Sequence, residues 1–167
     1  TLQSLIPQFS SLKMVMYVQR VDFIRDLFDD HLVKDAEIIV GDSVVNKNRS
    51  GTEPEVFLRL AELIEEGRLK IRIPKRGEFH EKWILAENDE EFADIFGTAN
   101  LTSRGSGRSG MQSNQVRVNK ISGNYVDSKR YNDLQKQYTE CFAKALTYVA
   151  QILVAAFFIA ALIFPIF

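Results

Sequence analysis

The chain alternates short apolar runs with longer amphipathic stretches. Residues 13–19 (Lys-Met-Val-Met-Tyr-Val-Gln) are dense in strand formers and predict a β-strand. Asp22 is placed to cap a helix over residues 22–32, with Phe23, Leu27 and Phe28 on one face. Residues 36–40 (Ala-Glu-Ile-Ile-Val) predict a short strand ended by Gly41 and Asp42, and residues 46–51 a polar loop. Pro54 opens a second helix in which Val56, Leu60, Leu63 and Ile64 recur at three and four residues, and Gly67 stops it. Residues 69–73 alternate apolar and basic side chains, which predicts a strand with one buried and one charged face. Residues 80–86 and 91–101 predict two more strands joined by an acidic turn at 87–90, and residues 114–120 alternate again as a strand. Tyr131, Leu134, Tyr138, Phe142 and Leu146 give residues 127–146 a helical period. This order of strands and helices predicts an α/β domain with a mixed β-sheet flanked by helices over residues 13–147, preceded by a weakly amphipathic lead-in at 1–12.

Residues 148–167 depart from that pattern. They carry no charge and only Gln151 as a strongly polar side chain. Twenty residues at about 1.5 Å each would span a ~30 Å hydrocarbon core, so a C-terminal apolar transmembrane helix is expected, with a buried terminal helix of the domain as the alternative. Lys129, Arg130, Lys136 and Lys144 precede the segment and no basic residue follows it. The globular part is therefore expected to face the cytoplasm, anchored to the membrane by the segment. No N-terminal secretory signal is visible.

At 167 residues the chain suits one domain with a full core, and its 26% charged and 46% apolar residues are those of an ordinary globular protein. The net charge of −1 predicts no bulk attraction to nucleic acid, but the charge is segregated. Between Arg68 and Lys82 six basic residues face two acids, and between Arg104 and Arg130 six face one. The acids gather at 53–66 and 87–94. The single cysteine, Cys141, excludes an intrachain disulfide and reads as a structural thiol. No His, Asp and Cys cluster suggests a metal or cofactor site, and none is expected.

Between the two basic stretches lies a set with chemical potential. His80 and Lys82 stand two apart on a predicted strand and so share a face. Glu87 follows five residues later, and Gly97, Thr98, Ala99 and Asn100 end the next strand. Histidine supplies a nucleophile that is neutral near pH 7, lysine a cation, and threonine and asparagine neutral donors, a combination suited to attack on a phosphodiester. Lys82, Thr98 and Asn100 are the candidate phosphate-binding residues. Gly97 allows close approach of backbone. The other histidine, His31, sits near the end of the first predicted helix, where it suits a dipole or surface role better than that of a ligand.

In these residues the chain resembles the phospholipase D superfamily, whose signature is His-x-Lys, four residues, Asp, about six residues, then Gly-Ser-x-Asn. Here Glu87 stands for Asp and Thr98 for Ser, and the connection is three residues longer, with the extra length in the acidic turn. The resemblance implies a phospholipase D-like fold over 13–147, with His80, Lys82, Glu87 and Asn100 as catalytic residues. The family's further polar position, commonly a Glu, falls at Gln112 to Gln115, so orienting the histidine would pass to Asn114 or Gln115. The family's reaction uses two histidines, one forming a phosphohistidine and the other protonating the leaving oxygen. This chain has a single motif, so the resemblance implies a homodimer whose two His80 side chains meet at the two-fold axis.

The resulting expectation is a metal-independent phosphodiesterase, a hydrolase acting as an endonuclease on DNA or RNA, with the basic flanks tracking the phosphate backbone. The apolar tail favours a second reading, a membrane-associated phospholipid phosphodiesterase. The missing Glu near Asn114 favours a third, a catalytically silent nucleic-acid-binding or assembly module.

Overall fold

The computed structural model describes residues 6–18, 21–29, 33–40, 54–73, 82–98 and 115–147. A 3-10 turn at Ile6–Gln8 leads into β1 (Ser11–Met16), followed by α1 (Asp22–Asp29), β2 (Asp35–Val40), α2 (Pro54–Glu65) and β3 (Leu69–Ile73). β1, β2 and β3 pair in parallel, so each helix is the crossover of a βαβ unit. The chain then builds antiparallel structure. β4 (Trp83–Glu87) returns against the other side of β1, β5 (Glu91–Gly97) forms a hairpin with β4, and β6 (Val116–Ser122) pairs with β5. A second 3-10 turn (Tyr125–Asp127), α3 (Lys129–Lys144) and the two-residue β7 (Leu146–Thr147) complete the described chain. The strand order is β6-β5-β4-β1-β2-β3-β7, a seven-stranded mixed sheet.

The central strands are buried on both faces, which is why they read as nearly continuous apolar runs. One face, carrying Met14, Met16, Ile38, Val40, Ile71, Ile84 and Ile95, packs on α1 and α2 through Ile24, Leu27, Leu60 and Leu63. The opposite face, carrying Val15, Ile39, Trp83, Leu85 and Phe92, packs on α3 through Tyr138, Leu134 and Phe142. Ile6 and Phe9 lie in the first core, so the described part of the lead-in belongs to the domain rather than preceding it.

Local chemistry sets the joints. Gly67 adopts φ +72° past α2, and the N–H groups of Gly67 and Arg68 return to the carbonyls of Ile64 and Leu63. Asn88 builds the β4–β5 turn, its side-chain oxygen accepting the N–H groups of Glu90 and Glu91 at 2.8 Å each. The expected acidic turn therefore starts one residue later, with Glu87 still in β4. The hydroxyl of Ser128 accepts the Tyr131 N–H at the start of α3. The helix stops at Lys144, although Leu146 keeps its spacing, because Leu146 and Thr147 pair with Ile73 and Arg72. Arg72 covers that helix end. It donates to the Phe142 carbonyl and lies over the Phe142 ring, 4.1 Å from its centre.

No helix among the described residues is long and apolar enough to cross a membrane. The expected apolar helix at 148–167 lies outside those residues.

Candidate active site

The parallel strands β1 to β3 end at Met16, Val40 and Ile73. Because β4 runs against β1 with Val15 opposite Trp83, Lys82 enters the sheet at this same end. The β4–β5 hairpin pairs Trp83 with Phe96, and the Gly97 N–H reaches the Lys82 carbonyl at 3.3 Å. Val116 lies opposite Gly97, so β6 begins here too. Ligand sites in open α/β sheets favour the ends where the parallel strands finish.

One rung closes this end. The Thr98 N–H donates to the Gln115 carbonyl at 3.0 Å, and the Gln115 N–H donates to the Thr98 hydroxyl at 3.1 Å. The Thr98 oxygen thus serves the backbone with a lone pair while its own proton stays available to a ligand. Gly97 makes the rung possible. A Cβ at that position would fall well under 3.0 Å from the Gln115 carbonyl oxygen, and 3.0 Å from the Val116 Cα. Lys82, Phe96, Gly97 and Val116, with Met16, Ile84 and Ile95 beneath, border a shallow recess at this end.

Of the residues expected at the site, Lys82, Thr98 and Gln115 reach this one sheet end, Lys82 on the face of Ile84 and Ile95 and opposite to that of Phe96. His80, Asn100 and Asn114 lie outside the described residues. His80 is two positions before Lys82, Asn100 two after Thr98, and Asn114 adjoins Gln115.

Glu87 is a correction. It stands at the opposite end of β4, five residues and roughly 16 Å from Lys82, and the odd spacing puts it on the opposite face. Its carboxylate accepts the Tyr131 hydroxyl at 3.0 Å. Burial, then the Glu87 charge and this hydrogen bond, hold the Tyr131 phenol up at about 12. Tyr125 stands beside it, donating to the Asn88 carbonyl at 2.7 Å, its own phenol raised first by burial and then by Glu87 and Asp89. With Phe92 the two tyrosines form an aromatic group, Tyr131 edge-on to both other rings and Tyr125 stacked on Phe92. Glu87 therefore ties α3 to β4.

That tie is one of several. Arg130 in the first turn of α3 pairs with the fully buried Asp94, whose other carboxylate oxygen has no hydrogen-bond partner among the described residues. Lys13 donates to Gln135, and the Tyr138 hydroxyl donates to the Glu37 carbonyl at 2.7 Å. Sequence reading missed this series. Its one visible signal was Asp94, a lone charge inside the apolar run 92–96, which a strand buried on both faces tolerates only with a partner. Among the described residues no three His, Cys, Asp or Glu side chains cluster to hold a metal ion.

No protein-family model and no curated protein matches the chain. Among solved structures it is similar to a crystal structure of yeast tyrosyl-DNA phosphodiesterase, with a TM-score of 0.49 and 16% identity over 87% of this chain. The chain spans only 38% of that one.

Proposed function

We propose that this chain is a metal-independent phosphodiesterase of the phospholipase D type, cleaving nucleic acid as a homodimer. One observation carries the reading. The Gly97 N–H to Lys82 carbonyl bond makes neighbours of two sequence segments, and those segments hold the two halves of the signature, His-x-Lys and Gly-Thr-x-Asn. Either half alone is a weak motif. Their meeting at one sheet end is what a shared site requires.

In the proposed reaction, His80 attacks phosphorus, forming an N–P bond as the P–O bond to the leaving group breaks. The partner subunit's His80, entering as imidazolium, protonates the leaving oxygen. It then takes a proton from the water that displaces the first histidine, breaking the N–P bond and restoring both side chains. Lys82, Thr98 and Asn100 stabilise the charge gathering on the phosphoryl oxygens. Asn114 or Gln115 orients the histidine. Glu87 is left out of the reacting set because of its position.

Charge favours a polyanion. Segment 74–81, with Lys75 and Arg76 against Glu78 and Glu81, is balanced, whereas 99–114, which also leaves and rejoins the sheet at this end, holds Arg104 and Arg108 and no acid. Glu87, Asp89, Glu90 and Glu91 lie at the other end. The apolar stretch 148–167 favours a second reading, hydrolysis of a phospholipid headgroup ester by a membrane-anchored, cytoplasm-facing domain. The test is cleavage of end-labelled DNA and RNA in excess chelator, beside release of headgroup from phospholipid vesicles. Nucleic acid cleavage abolished by His80→Ala supports the proposal. Hydrolysis of vesicles alone, or wild-type cleavage by His80→Ala, overturns it.

A further inference from the structure

α3 crosses its face of the sheet on a diagonal. Tyr131 touches β4 at the Glu87 end, whereas Phe142 reaches Arg72 near the far end of β3. Among the described residues this leaves a corner of the face over β5 and β6 uncovered, at the sheet end where Thr98 and Gln115 pair. The register places Phe96 opposite Arg117 and Asp94 opposite Asn119, so Phe96, Arg117 and Asn119 stand on this one face. Phe96, the second-to-last residue of β5, is 37% exposed. Its ring does not float. It stacks on the buried Trp83, with ring centres 5.6 Å apart and planes 16° from parallel. Arg117 is exposed and makes no ion pair among the described residues, and Arg130 borders the corner with its side chain 49% exposed. Phe96 lies two residues before Thr98, and its ring is on the face of the sheet opposite to that of Lys82.

A rigid exposed ring beside a guanidinium with no ion pair among the described residues, two residues before the candidate phosphate-binding Thr98, fits an unpaired nucleobase followed along its own backbone. A duplex keeps its bases stacked on one another and offers no free face to a ring. The geometry points to a stacking subsite at Phe96 that takes one base of single-stranded nucleic acid next to the scissile phosphate, with Arg117 holding the neighbouring phosphate. This inference rests on the proposed function and names its substrate class as single strands.

Trp83 is the only tryptophan and lies directly under Phe96, so its emission reports occupancy. The test uses the full chain carrying His80→Ala, to prevent cleavage, titrated with DNA and RNA dodecamers, single-stranded or duplex, by anisotropy and Trp83 emission. Single strands of at least one sugar type are expected to bind more tightly than the duplex and to shift the emission. Phe96→Leu, which keeps an apolar cover over Trp83, is expected to weaken single-strand binding roughly tenfold, with Phe96→Tyr restoring it. Arg117→Gln is expected to flatten the salt dependence. Equal binding by Phe96→Leu and the parent, duplex preference, or no binding overturns the subsite. So does a Phe96→Leu variant whose sedimentation shifts from dimer to monomer, which makes this corner a subunit contact. Wild-type hydrolysis of bis(p-nitrophenyl) phosphate, which has no base to stack, tests the phosphodiesterase reading separately. Activity there without Phe96-dependent binding sinks only the subsite, and the reverse outcome sinks only the chemistry.

Discussion

Gly97→Ala is the smallest change that tests whether the rung at the sheet end holds the site together. The three atoms nearest the added methyl are all backbone. They are the Gln115 oxygen well under 3.0 Å away, the Val116 Cα at 3.0 Å and the Gln115 carbonyl carbon at 3.1 Å. Relief requires β6 to move away from β5 at its first residue. That movement breaks the two Thr98–Gln115 hydrogen bonds, each contributing about 1 kcal/mol, and leaves residual strain of about 1–2 kcal/mol. Reduced freedom of the unfolded chain returns about 0.5–1 kcal/mol, so the net loss is about 2–3.5 kcal/mol. Urea unfolding followed by Trp83 emission measures it, and phosphodiester hydrolysis by the same variant measures the site. Gly67→Ala is the control. Gly67 has open space around its Cβ but a φ of +72°, so it is expected to lose about 1 kcal/mol from strain alone and to keep wild-type hydrolysis. If Gly97→Ala matched the wild type within 0.5 kcal/mol and hydrolysed phosphodiesters normally, the rung would be irrelevant to both fold and site.

Arg130→Met strips the partner from a fully buried carboxylate and is expected to cost about 2–3 kcal/mol in urea unfolding. The charge-free pair Asp94→Leu with Arg130→Met is expected to recover much of that loss, and a double variant worse than the single would contradict the pairing argument. The raised Tyr131 phenol makes a prediction about alkali. A pKa held above its unfolded value of 10.0 gives stability fully present below pH 10 and lost as pH climbs towards 12. The gap in urea midpoint between wild type and Tyr131→Phe should therefore be constant up to about pH 10 and close above it, and a gap that persisted at pH 12 would contradict the raised phenol pKa. Glu87→Gln keeps an acceptor for Tyr131 and should retain most of the hydrolytic rate, whereas Lys82→Ala should lose at least a hundredfold. Equal losses in the two would return Glu87 to the reacting set.

The half of the fold built from βαβ units is legible because each element has one dominant period. Lys70 and Arg72 alternate with Leu69, Ile71 and Ile73, and Val56, Leu60 and Leu63 mark one face of α2. β4 is harder. Trp83, Ile84, Leu85 and Ala86 are all buried, so alternation is absent and the sequence does not say which face Lys82 takes. The end of α3 was illegible for another reason. Ala145 and Leu146 suit a helix, and only pairing with β3 across some 70 residues turns them away from it.

The placement of Glu87 is more instructive, since the means to read it lay in the same residues. Expecting Lys82 and Asn100 to converge already assumes a hairpin between the two strands. A hairpin brings its outer residues together and sends its turn to the far end, and Glu87 adjoins the turn at Asn88. Any register that sets Gly97 beside Lys82 must therefore carry Glu87 away from it. The two expectations exclude one another on a straight strand. The carboxylate's spacing within the signature is then a constraint on folding, fixing where β4 ends and where α3 attaches through Tyr131. On this view Asp could replace Glu87 in a related chain only if the helix moved closer to recover the shorter reach, so the identity of residue 87 and the position of α3 should vary together while the Lys82 end stays the same.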